Sequence, residues 1–123
     1  MITKKASNLK YKILAAGYTI WLTAISLTPL DSLDLPSFKF ADKIVHFFLY
    51  FFLALFWMLA LPKIKQTLNR LLIIIILWGI FIEVLQEYFI PGRTGDVFDA
   101  IANTFGGLFA ILFYRYFIIK KTQ

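Results

Sequence analysis

Apolar residues fill four long, nearly unbroken stretches of this chain, at positions 11–30, 43–61, 71–90 and 97–119. Each is about 20 residues long, the length that crosses a hydrocarbon core of about 30 Å as an α-helix. Prolines punctuate them: Pro29 and Pro62 stand at the ends of the first and second stretches, Pro91 follows the third, and Pro36 lies between the first two. Proline lacks the amide that would continue a helix, so these positions predict boundaries. Asp42 is placed to cap the second helix, and Asp96, followed by Asp99, to cap the fourth. Gly92 and Gly95 in the 91–96 connection predict a tight turn that can approach a neighbour closely. The pattern predicts an all-α fold, an integral membrane four-helix bundle in which residues 1–123 form a single transmembrane domain.

Composition strengthens the membrane assignment. The chain is 60% hydrophobic and 19% aromatic, with a mean hydropathy of +0.76, more apolar surface than a soluble domain of this size can bury. The first stretch also has features of a signal peptide, lysines before an apolar run and the small-x-small triplet Ala24-Ile25-Ser26. Its apolar run continues to Leu30, so a retained helix is expected. The 31–41 segment is amphipathic and is expected to rest on the membrane surface.

Charge orients the bundle. Ten basic residues (Lys4, Lys5, Lys10, Lys12, Lys63, Lys65, Arg70, Arg115, Lys120 and Lys121) flank one set of helix ends, and three (Lys39, Lys43 and Arg93) flank the other. Every acidic residue lies toward the second set. The positive-inside rule then predicts both termini in the cytoplasm and the 31–42 and 91–98 connections outside. The net charge of +6 reads as topology and contact with anionic inner-leaflet lipid rather than nucleic-acid binding. With no cysteine in the chain, disulfides, thiolate metal sites and a cysteine nucleophile are excluded.

The polar residues inside the apolar stretches need a reason, because a charge at the centre of a spanning helix costs roughly 2.5–3.5 kcal/mol. Asp42 and His46 are four apart on the second helix, as are Asp99 and Asn103 on the fourth, while Glu83, Gln86 and Glu87 share a face of the third. At 1.5 Å per residue, His46 lies about 6 Å deeper than Asp42, and Glu83 about 10 Å from its helix end. Three helices thus turn polar stripes toward one level, with Arg93 in the loop above. Each member has a plainer reading: the aspartates as caps, His46 as a bond to a neighbouring helix, and Gln86, Asn103 and Gly106-Gly107 as packing features. The phenylalanine-rich run 47–57 reads as lipid-facing and packing surface. Glu83 resists such a reading, since a carboxyl at that depth must be protonated, paired or bound to a metal.

These same residues carry a family resemblance. Asp42-Lys43, His46 and Tyr50 form an Asp-Lys-x-x-His-x-x-x-Tyr block; Glu83 and Gln86 form Glu-x-x-Gln; Arg93, Asp96, Asp99, Asn103 and Gly106 form Arg-x-x-Asp-x-x-Asp-x-x-x-Asn-x-x-Gly. In order and spacing, this resembles the VanZ-like family over essentially the whole chain. The family takes its name from a bacterial protein linked to reduced susceptibility to teicoplanin, a lipid-tailed glycopeptide antibiotic. The resemblance implies a multi-pass protein of the bacterial cell membrane, with a role in the cell envelope and a polar site on the extracytoplasmic side.

Three functions fit these residues. A non-enzymatic pocket formed by Asp42, His46, Glu83, Gln86, Arg93, Asp96, Asp99 and Asn103 would bind a membrane lipid, a lipid-linked envelope precursor or a lipoglycopeptide. A small enzyme would act on a lipid or polyprenyl phosphate, with Arg93 clamping the anion and His46, Glu83 and Asp99 as catalytic or metal-holding candidates. A proton-coupled lipid transporter would use the carboxylates as a relay, and at four helices would need to oligomerise. No nucleophile motif, phosphate-binding glycine loop or His-Glu-x-x-His metal motif is present in the sequence. The sequence specifies neither cofactor nor metal.

Overall fold

In the computed structural model, residues 2–28, 40–61, 65–92 and 95–119 are described. They form four helices, α1 (Ile2–Ser26), α2 (Ala41–Ala60), α3 (Lys65–Phe89) and α4 (Val97–Phe113), and α4 continues into a wider π-helical segment over Tyr114–Ile119. No strand occurs among the described residues. The all-α four-helix bundle is therefore the fold. By length and composition α2, α3 and the α4 segment can each cross a membrane. Helix α1 is as long as α3, at 25 residues. It takes in Lys4, Lys5, Lys10 and Lys12, and its apolar character is confined to its second half. There the Thr19 and Thr23 hydroxyls donate to the carbonyls one turn earlier, each at 2.8 Å, which removes their polar cost.

Large apolar side chains stand exposed along the outer faces, among them Ile73, Ile74, Leu77, Phe81, Leu108 and Leu112. In water such a surface would drive association; in lipid it carries no cost, because lipid tails are as apolar as the side chains. The buried core lies between the helices and includes Leu22, Tyr50, Leu53, Met58, Ile75, Ile111 and Tyr114.

Two features fix how α2 meets α4. Gly106 lets the α2 backbone come so close that a Cβ there would sit 2.2 Å from the Phe47 carbonyl oxygen. Around this contact Phe47 packs against Phe109, and Phe51 against Phe113, with ring centroids 5.5 and 5.9 Å apart. Part of the phenylalanine run is therefore an interhelical seam as well as lipid-facing surface.

Asp96 caps α4 as expected, its Oδ1 accepting from the Phe98 amide at 2.9 Å. The expectation for Asp42 is corrected. The cap position of α2 belongs to Phe40, which makes no side-chain cap bond, and Asp42 lies inside the first turn with its carboxylate on Lys43. One residue inside the helix start, Asp42 is past the position from which a side chain caps, and its carboxylate pairs with the Lys43 ammonium instead. Pro29, Pro36, Pro62, Arg93 and the 31–39 segment lie outside the described residues.

Candidate functional site

At one end of α2, α3 and α4 the polar side chains form two connected layers. Lys43 centres the upper one. Its ammonium lies 2.6 Å from Asp42 Oδ2, 2.7 Å from Asp96 Oδ2 and 2.7 Å from Asp99 Oδ1. This arrangement is half open to solvent, with the Lys43 side chain 26% and the Asp96 side chain 36% exposed. The Lys43 ammonium, helped by the Phe98 amide, holds the Asp96 carboxyl below the ordinary aspartate range.

The lower layer is buried. His46 Nδ1 contacts Asn103 Oδ1 at 3.0 Å and lies 3.8 Å from Glu83 Oε1, while its Nε2 lies 3.6 Å from Asp99 Oδ2. Glu83 comes from α3 and is held by its other oxygen, Oε2, which accepts from the Asp96 amide at 3.2 Å. Its Oε1 is buried and makes no hydrogen bond. Asp99 joins the layers, one oxygen on Lys43 and the other facing His46.

The local sequence explains how these groups meet. Asp42 and His46 share a face through their i, i+4 spacing, as do Asp99 and Asn103. Gly106, one turn beyond Asn103, permits the close α2–α4 approach that brings the two faces into contact. Gly79 makes room for Asn103 on the α3 side, where an added Cβ would lie 3.3 Å from the Asn103 amide nitrogen. The connection between α3 and α4 turns at Gly92, whose φ of 77° is left-handed and open chiefly to glycine. It then presses Gly95 against α3, where the Gly95 amide donates to the Glu87 carboxylate.

The structure thus brings together Asp42, His46, Glu83, Asp96, Asp99 and Asn103. Gln86 does not join them. Its amide donates to the Ser26 carbonyl at 2.7 Å and ties α3 to the end of α1. Arg93 lies outside the described residues. Sequence reasoning placed Lys43 among the topology-setting charges and missed that it binds three carboxylates. The signal was available: Lys43 adjoins Asp42 and precedes His46 by three residues, at the acid-rich end of the chain.

An amphipathic groove adjoins this cluster between α3 and α4, with a volume of about 580 Å³, inside the range of about 300–1,000 Å³ common for ligand clefts. Glu83, Glu87 and Asp96 line its loop end, and Ile80, Ile101 and Phe105 its deeper, apolar length.

The chain matches the model of the VanZ/LLP1 family over residues 3–120. It belongs to that family. Among curated proteins it is similar to an uncharacterized protein of the fission yeast Schizosaccharomyces pombe, 30% identical over 106 residues that make up 85% of this chain and 63% of the yeast protein. The chain thus spans under two thirds of that relative's length. No solved structure matches it. That relative is eukaryotic, so the match does not assign a bacterial envelope.

Proposed function

We propose that this VanZ/LLP1 protein binds the head group of a membrane lipid or lipid-linked envelope molecule at the carboxylate-rich end of the bundle, with the ligand's hydrocarbon tail in the α3–α4 groove. The supporting observation is the groove's profile: Glu87, Glu83 and Asp96 toward the loop end, then Ile80 on α3 and a mainly apolar α4 wall from Val97 to Phe105, roughly 12 Å along that helix at 1.5 Å per residue. An amphiphile has the same profile. Lipid-tailed glycopeptides of the teicoplanin kind share it, which links this reading to antibiotic tolerance. The charge asymmetry along the chain supports an extracytoplasmic position for the head group.

A second reading, proton transfer at a head-group phosphate, is favoured by His46 standing between Glu83 and Asp99 at 3.8 and 3.6 Å. Native mass spectrometry of the full chain released from membranes tests the binding reading. Co-purified lipid or polyprenyl phosphate is expected on the wild type and lost in Ile101→Trp, which fills the groove. It should be retained in Ile13→Trp on the exposed face of α1. Equal lipid occupancy in all three would refute the groove as the binding site.

A further inference from the structure

The three groups of the buried layer are arranged in a way that their mutual contacts do not explain. His46, Glu83 and Asp99 each offer one ligand atom, and the three atoms lie within 4.8 Å of one another. Each residue's other polar atom is already occupied. Asn103 Oδ1 faces His46 Nδ1 at 3.0 Å. The Asp96 amide holds Glu83 Oε2 at 3.2 Å, and the Lys43 ammonium holds Asp99 Oδ1 at 2.7 Å. Asp99 Oδ2 remains 3.6 Å from His46 Nε2 and Glu83 Oε1 remains 3.8 Å from His46 Nδ1, both beyond hydrogen-bond distance. Glu83 Oε1, on a side chain only 8% exposed, has no hydrogen-bond partner. Two buried carboxylates gathered about one imidazole need a positive charge among them, and a bound cation supplies it.

We propose that His46, Glu83 and Asp99 bind one divalent transition-metal ion of the Zn²⁺ or Mn²⁺ class. One imidazole nitrogen and two carboxylate oxygens are the donor set such borderline ions accept. Metal–ligand distances of about 2.0–2.2 Å require the three atoms to close by about 1 Å, a movement within reach of side-chain torsions. Asn103, Lys43 and the Asp96 amide orient the ligands from behind, as partners of metal-bound histidines and carboxylates commonly do. The neighbouring set Asp42, Asp96 and Asp99 is also close enough to hold a cation. Its centre is taken by the Lys43 ammonium. Three protein ligands leave coordination positions open, and Glu83 also lines the groove. The open position would accept a phosphate oxygen of the head group, and this last step alone rests on the amphiphile-binding reading.

The test uses the full chain in detergent, without a histidine tag, stripped with EDTA and dialysed against Zn²⁺ or Mn²⁺. Metal analysis should give about one ion per chain, and binding should raise the melting temperature by several degrees, reversed by EDTA. Affinity should fall at least tenfold in Glu83→Gln and about 10–100-fold in Asn103→Ala, which leaves the ligands in place but removes the histidine's orienting partner. Wild-type protein that binds neither ion saturably below about 100 µM would overturn the site. Unchanged binding in Glu83→Gln would overturn it as well. Lipid co-purification measured in EDTA keeps the two readings apart. Lipid retained without metal binding sinks the metal site alone, and metal bound without lipid sinks the amphiphile reading alone.

Discussion

Replacing Lys43 with Met would leave Asp42, Asp96 and Asp99 facing one another around an apolar methyl group. All three oxygens now lie within 2.7 Å of the ammonium. Because Lys43 is partly solvated, the cost is about 1–3 kcal/mol, below that of breaking a fully buried pair. Thermal melting in detergent should show the loss, and Asp42→Asn in the same chain should restore part of it, since the two sites share one network. Asp96 adds a pH dependence. Its carboxyl is held below the ordinary value by Lys43, so the folded state releases that proton more readily than the unfolded one. This contribution is complete above the unfolded pKa and is lost as pH falls through the lower folded pKa. Melting temperature measured downward from pH 5 should therefore decline, and Asp96→Asn should flatten that part of the decline. At this scale the sequence reveals the acids and His46 well, because i, i+4 spacing marks a shared face. Gln86 shows where that logic ends. Three residues of helix turn about 300°, so Gln86 stands about 60° from Glu83, enough to face α1 and the Ser26 carbonyl instead of the cluster. Lys43 escaped notice because a lysine at a membrane boundary already has a topological explanation.

Helix α1 is the element whose place in the bundle depends most on side-chain hydrogen bonds. Tyr18 donates to the Leu49 carbonyl at 2.7 Å, Trp57 to the Thr19 hydroxyl at 2.9 Å, and Gln86 to the Ser26 carbonyl at 2.7 Å. Each is worth about 0.5–2 kcal/mol in a membrane, and together they offset the weaker apolar character of this helix. Gln86→Leu should therefore raise hydrogen exchange at the end of α1 while leaving metal or lipid binding at His46 and Glu83 unchanged. A variant that loses binding instead would return Gln86 to the site. The α2–α4 seam behaves differently, since no relaxation of a flexible side chain can accommodate a Cβ at Gly106 set 2.2 Å from a backbone oxygen. Gly106→Ala should separate the two helices and lower the melting temperature by the equivalent of about 1–3 kcal/mol. Hydropathy made all four helices legible, but their ends less so. The structure extends α1 back to Ile2 and α3 back to Lys65, because lysine, arginine and glutamine are good helix formers that an apolar run does not count. The cap expected at Asp42 failed because the helix begins one residue before it, with Phe40 at the cap position, and the carboxylate pairs with Lys43 inside the first turn.

For the whole molecule, orientation decides which ligands can reach the site. Helix packing is indifferent to which side of the membrane it faces, so orientation follows from charge alone: ten basic residues flank one set of ends and three the other. Retaining lysine and arginine on the cytoplasmic side is the strongest general bias on helix orientation, and it acts through the short flanks that dominate here. A reporter fused at Lys65 or after Gln123 should therefore read as cytoplasmic, and one inserted near Asp34 as external. The site lies at the starts of α2 and α4, where Asp42 stands in the first turn and Asp96 caps, so a reporter in the connection that leads into α2 reads its side as well. External placement exposes the cluster to envelope precursors and to drugs arriving from outside, and Glu83→Gln should then abolish the envelope phenotype while the protein still inserts and accumulates. The amide keeps the size of the carboxyl and is cheaper to bury than a charge, so loss of function without loss of protein separates a ligand-binding role from a structural one. Reversed reporters would move the same carboxylates to the inner leaflet. An external glycopeptide could not reach them there, and the head group in question would have to belong to an inner-leaflet lipid.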